Sequence, residues 1–158
     1  MEKEKFHYEL NPNTMAVLPI RDERYGSKIL ETDDVLYSVR TPFQLIKDAC
    51  LEGGSTYEGR KRAVVHLTGT QNKIPVPVNP QLDMYAFPTG SPRSFDCQWI
   101  FHNHVKRILP GKHRQGSIIV FSNQSRLHLD ISYYALQKQL HRTAYTKFRF
   151  SSPEKVLS

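Results

Sequence analysis

Two stretches of this sequence invite a chemical reading. The first is Gly54-Ser55-Thr56-Tyr57-Glu58-Gly59-Arg60-Lys61, which has the outline of a phosphate-binding loop. A nucleotide loop needs Lys directly after its second glycine, then Ser or Thr for magnesium, and it follows a strand. Here Arg60 and Lys61 hold those two places and a helical pattern precedes them, so NTP hydrolysis is not expected. The chemistry these residues suit better is a basic clamp. Ser55, Thr56 and backbone N–H groups would bond phosphate oxygens, while Arg60, Lys61 and Arg62 supply charge. A glycine-rich turn with a solvated basic end is the plainer alternative. The second stretch is Cys97-x4-His102-x-His104. On a strand the two histidines would share a face. A structural zinc needs four ligands, however, and a second tight pair is missing, so no metal and no cofactor is expected.

Other catalytic chemistry is poorly served. A metal-dependent nuclease needs clustered carboxylates, and the basic last third of the chain offers only Asp130 and Glu154. Glu58 and Lys61 resemble a restriction-type acid-x-Lys pair with one residue too many. There is no G-x-S-x-G, and neither Cys50 nor Cys97 has an obvious local base. The expectation is a non-enzyme.

Charge is the informative quantity. The 158 residues carry a net +7. Residues 1–99 hold 12 basic and 13 acidic side chains, whereas residues 100–158 hold 10 basic and 2 acidic ones. Five of the seven histidines also lie in that last third. Such a segment repels itself unless something anionic faces it. Nucleic acid is the leading partner, with an acidic protein or a membrane surface as alternatives. No apolar run approaches the ~20 residues of a membrane helix, and the start lacks the layout of a signal peptide. Two cysteines are too few for a disulfide framework. The expectation is a cytoplasmic protein with reduced thiols.

The elements that must position these groups follow from periodicity. Tyr8–Leu10 and Met15–Pro19 read as a hairpin around Asn11-Pro12-Asn13, and Lys28–Glu31 with Val35–Val39 as a second pair. Thr41 and Pro42 open a helix over 42–52 that buries Phe43, Ile46, Ala49 and Cys50 and stops at Gly53-Gly54. A loop is expected over 55–62 and a strand over Ala63–Thr68. Five prolines between 73 and 92 leave only extended edge or wrapping segments, with a short strand at Met84–Phe87. Gln98–Ile108 alternates as one long strand. Ser117–Phe121 and Leu127–Ile131 flank the turn Ser122–Ser125. A second helix, over about 132–149 and capped by Asp130 or Ser132, carries the apolar row Leu136, Leu140, Ala144 and Phe148. Lys138, His141, Arg142, Lys147 and Arg149 fall off that row, with no acid between Ser132 and Pro153 to pair them. The fold class is therefore α+β: one domain with an antiparallel, strand-rich core and two helices, with residues 1–5 and 152–158 frayed.

Several stretches, taken in order, resemble the competence transcription factor ComK family. They are Tyr8-Glu9-Leu10, Met15–Pro19, Ser27–Glu31, Pro42–Ile46, Gly54–Lys61, Phe87-Pro88-Thr89, Cys97–Ile100, His102–Lys106, Phe121-Ser122-Asn123, Ile131-Ser132-Tyr133 and His141–Tyr145. They span roughly residues 8–150. The resemblance implies an activator of DNA-uptake genes that binds paired A/T-rich boxes in double-stranded DNA, mostly through the minor groove. It implies self-association as a dimer, or a tetramer on DNA, and work with RNA polymerase. The family's best-known members carry a longer tail, which the adaptor MecA recognises for the ClpC protease. The chain stops at Ser158, which puts that control in doubt and leaves room for a short paralogue that modulates a full-length relative.

Where family-like segments coincide with polar or basic chemistry, the candidate DNA contacts are Ser55, Arg60, Lys61, Arg62, His104, Lys106, Asn123, Arg126, Lys138, Arg142 and Lys147. Loop and helix cations would neutralise phosphates, and the hairpin tip around Asn123 and Arg126 would enter the groove. The competing class is a β-rich RNA or single-strand module, stacking bases on Tyr57, Tyr85, Trp99, Phe101 and Tyr145.

Overall fold

The computed structural model describes residues 8–151; the expectations for 1–5 and 152–158 lie outside the described residues. The chain builds three layers around one sheet. Strands β1 (Thr14–Pro19), β2 (Ser27–Glu31) and β3 (Val35–Ser38) form an antiparallel meander. β4 (Val76–Asn79), β5 (Met84–Pro88) and β6 (Trp99–Phe101) complete the six-stranded order β3-β2-β1-β6-β5-β4. Pro77 sits in β4 at the sheet edge, where a missing N–H interrupts no interior ladder.

β6 shows how the layers arise. Trp99 and Phe101 point to one face and Ile100 to the other, because successive side chains alternate. All three are buried, as a central strand covered on both sides requires. On the Trp99 face lie α1 (Pro42–Glu52) and α2 (Tyr57–Thr68), whose Leu45, Ile46, Ala49, Cys50 and Tyr57 join Val17, Ile29, Val76 and Val78 in one cluster. On the Ile100 face, Met15, Ala16 and Phe87 pack with a three-stranded sheet of β7 (Val105–Pro110), β8 (Ser117–Phe121) and β9 (Arg126–Leu129) and with Leu136 of α3 (Tyr133–Ser151).

The α+β class and the first helix stand as expected. Thr41 and Gln44 form a reciprocal cap on α1: Gln44 N donates to Thr41 Oγ1 at 3.3 Å and Thr41 N donates to Gln44 Oε1 at 2.9 Å. Glycine is needed at 53 because a Cβ there would come within 2.6 Å of the Val78 carbonyl oxygen, and Gly54 takes the positive φ of +100°.

Five local expectations are corrected. Residues 55–62 are not a loop, nor 63–68 a strand: together they form α2, giving three helices instead of two. The Thr56 hydroxyl accepts from Gly59 N at 2.9 Å, an N-cap that starts the helix. Tyr8–Leu10 forms no strand, although Tyr8 and Leu10 are buried. Gln98–Ile108 is broken by a short turn at His102–His104, so β6 and β7 belong to different sheets. The last strand ends at Leu129. Finally, α3 does not bury its apolar row. Ala144 is exposed and Phe148 is 58% exposed, whereas Leu136, Gln139, Thr143 and Thr146 point inward. The buried polar groups are satisfied locally: Thr143 Oγ1 donates to Gln139 O at 2.6 Å and Thr146 Oγ1 to Arg142 O at 2.8 Å. Of the two candidate caps, Ser132 serves, accepting from Ala135 N at 3.0 Å.

Candidate nucleic-acid interface

A groove of about 670 Å³ opens between α2, α3 and the segment 71–74 that leads into β4. Four cations line it: Lys61 from α2, Lys73 from the segment, and Lys138 and Arg142 from one side of α3. No Asp or Glu lines it. Lys138 and Arg142 meet there because residues four apart share a helix face, and Tyr134, one turn earlier, holds the Lys138 ammonium 5.5 Å from its ring centre. With no counter-charge in place, the groove favours a polyanion.

Gln139 sets this geometry. It is 2% exposed. Its Nε2 donates to the carbonyls of Pro88 at 2.8 Å and Lys73 at 3.0 Å, and its Oε1 accepts from Arg142 Nη1 at 3.1 Å. One amide thus ties α3 to β5, holds the Lys73 segment and aims Arg142. Gln139→Ala strands two buried carbonyls, and the expected loss of stability is about 1–3 kcal/mol, read as a lower urea midpoint at unchanged slope.

The remaining candidates are dispersed. Arg60 is turned away from the groove: its Nη2 donates to Gly53 O at 2.6 Å, joining α2 to the end of α1. Ser55 Oγ reaches Thr56 O at 3.4 Å. Arg62 is exposed on α2, outside the groove lining. Lys147 pairs with Asp83 at 2.7 Å. Arg149 Nη1 donates to Leu67 O, closing the last turn of α2. His104 Nε2 and the Pro12 carbonyl oxygen are 2.6 Å apart, and Asn123 Nδ2 donates to Thr32 O at 2.8 Å. The Asn123 carbonyl oxygen accepts from Ser125 N and Oγ. The expected groove-reading turn is therefore fastened to the β2–β3 turn. Lys106 and Arg126 are exposed on the small sheet.

Metal and nucleophile chemistry find no support in this geometry. Among the described residues no three His, Cys, Asp or Glu side chains gather to hold an ion. His102 and His104 lie in a tight turn rather than on a common strand face. Burial holds the His102 imidazolium pKa below its usual value, and the nearby Lys147 adds to this while Asp83 opposes it, so the ring carries no charge at neutral pH. Burial pushes the Cys50 thiol up to about 12 and raises Cys97 as well; neither is a ready nucleophile. Of the aromatics considered for base stacking, Tyr57, Tyr85, Trp99 and Phe101 are buried, and only Tyr145 is exposed. They form core, not a platform for bases.

Comparison with known proteins bears on this arrangement directly. The family model described as ComK protein matches residues 5–155. The chain belongs to the ComK family. The Bacillus subtilis (strain 168) protein described as "Competence transcription factor" is 37% identical over 144 residues, covering 90% of this chain and 74% of that protein. No solved structure matches. For a ComK-family chain the acid-free groove, rather than the glycine-rich stretch ahead of α2, is the feature with the chemistry of a phosphate contact. Among the described residues no helix is long and apolar enough to cross a membrane.

Lys73 and Gln139 were not singled out from sequence. Lys73 stands alone in a proline-rich segment, and Gln139 lies within a helix whose hydrophobic row pointed elsewhere. Its only signal is a polar residue between Lys138 and Arg142.

Proposed function

We propose that this protein is a sequence-specific, double-stranded-DNA-binding transcriptional activator of competence genes that recognises A/T-rich boxes mainly through the minor groove. The observation that carries the proposal is the groove of Lys61, Lys73, Lys138 and Arg142 without a carboxylate. Membership of the ComK family and the description of the Bacillus subtilis relative support the competence role. Phosphate contacts from the groove supply affinity and salt dependence, with Arg62, Lys106 and Arg126 as further contacts from exposed positions. Arg60, His104, Asn123 and Lys147 act by holding elements together. The working form is a dimer, or a tetramer on DNA, that acts on RNA polymerase.

The burial of Tyr57, Tyr85, Trp99 and Phe101 disfavours a single-strand stacking module. The test is displacement from an A/T-rich duplex by a small molecule that fills the minor groove. The reading expects release of the protein at drug concentrations that saturate the groove. Retention of the complex with the groove filled contradicts it.

A further inference from the structure

The small sheet has two unlike ends. At one, the β8–β9 turn is pinned to the main sheet by Asn123 on Thr32 O and by Ser122 N donating to His104 O at 2.9 Å. At the other, β7 and β8 are joined by Gly111-Lys112-His113-Arg114-Gln115-Gly116, in which all four residues between the glycines are exposed. We propose that this turn enters the minor groove of A/T-rich DNA, with Arg114 as the side chain that reads it. The inference rests on the DNA-binding reading above and names the element that gives that reading its sequence preference.

The backbone carries the first argument. His113 and Arg114 have φ of +56° and +63°, two consecutive left-handed residues that are not glycine. That conformation costs a side-chain-bearing residue free energy that glycine does not pay, so the fold alone would be served better by glycine at both positions. The chain places glycine at 111 and 116 instead, where it is sterically required. A Cβ on Gly111 would come within 1.8 Å of the Gln115 carbonyl oxygen, and one on Gly116 within 2.3 Å of that of Leu129. Three hydrogen bonds fix the turn: Gly111 N to Gly116 O at 3.1 Å, Arg114 N to Gly111 O at 3.1 Å and Gln115 N to Lys112 O at 3.0 Å. The tip is thus preorganised, and it presents His113 and Arg114 at the expense of backbone strain.

Charge and shape carry the second. Among the described residues no hydrogen bond or ion pair holds the side chains of Lys112, His113 or Arg114. Behind the tip, register places Arg107, Val120 and Arg126 in one cross-strand row on the sheet face opposite Ile108, Ile119 and Leu127, which belong to the core. A basic face therefore leads up to a basic tip. A two-stranded ribbon with its side chains is too wide for a minor groove about 6 Å across. A single arginine from its tip fits, and it is drawn there because a narrow A/T groove concentrates negative potential. The flanking Arg107 and Arg126 then meet phosphates on the groove walls.

The test compares wild type, H113G/R114G and R114K on equal-length A/T-rich and G/C-rich duplexes at one salt concentration, with thermal melting alongside. Because the double-glycine variant relieves strain, its melting temperature is expected to hold or rise. Its affinity for the A/T duplex is expected to fall roughly tenfold or more, with little change on the G/C duplex, and R114K is expected to fall between the two. If H113G/R114G keeps the wild-type A/T preference, or weakens on both duplexes alike, the tip is not the reader, and this inference alone is overturned. If wild type itself shows no A/T preference, the parent reading falls and takes this one with it.

Discussion

Replacing Lys73, Lys138 and Arg142 together by alanine is expected to abolish most DNA affinity at physiological salt while leaving the fold intact. Each of the three lines the acid-free groove, and for none is an acidic partner recorded among the described residues, so no ion pair is lost from the folded state. If all three neutralise phosphates, the slope of log affinity against log salt drops by nearly 3, at ~0.9 per phosphate on duplex DNA. The loss is the same on A/T-rich and G/C-rich duplexes, because phosphates carry no sequence information. Circular dichroism should be unchanged. Arg60→Ala is the contrasting variant. Its guanidinium serves the Gly53 carbonyl, so it is expected to cost stability with little effect on the salt slope. Loss of DNA binding in the single Arg60 variant, with the triple variant still binding, would place the phosphate contacts elsewhere.

Trp99→Ala is expected to be the most damaging single core substitution. Trp99 is 0% exposed and sits where three elements meet. Its ring stacks on Phe43 of α1 at 6.3 Å between centroids and meets Tyr57 of α2 edge-on at 6.5 Å. Removing it leaves a large cavity under both helices, at a cost of about 3–5 kcal/mol, a substantial share of a domain's net stability. Trp99→Phe separates volume from aromatic contact. The indole Nε1 has no partner in the folded state, so the smaller ring loses volume but also removes an unpaired donor. Denaturant unfolding should place Trp99→Phe well above Trp99→Ala. Equal losses in the two variants would mean that the indole nitrogen, not the ring, matters.

The first helix was legible because its punctuation is local. Thr41, Pro42 and Gln44 at the start and Gly53-Gly54 at the end specify it without help from the rest of the chain. α2 was not legible for the same reason in reverse. Gly54, Ser55, Thr56 and Gly59 look like a loop, and Ala63–Thr68 contains adjacent β-branched residues that favour strands. The Thr56 cap and the burial of Tyr57 and Val64 against the core override those preferences. In α3 the helix itself could be read, but not its inward face. Hydrophobic periodicity assumes that apolar residues turn inward. Here Gln139 and two threonines do so because each finds a hydrogen-bond partner, and Phe148 is left outside.

Charge asymmetry pointed to the right part of the molecule without assembling the groove. Lys61 and Lys73 lie in the neutral part of the sequence and meet Lys138 and Arg142 only through the packing of α2 against α3. Asn123 and His104 had the chemistry of DNA contacts but are consumed by the Thr32 and Pro12 carbonyls, long-range partners that spacing along the chain does not reveal.

The most direct test of the central claim is fluorescence anisotropy of the wild-type protein with an A/T-rich duplex, a G/C-rich duplex of equal length and a single strand, each over a salt series. The account predicts that the A/T duplex binds tightest, that the single strand binds weakest, and that both duplexes share a steep salt slope. Equal binding of all three ligands, or a preference for the single strand, would contradict it.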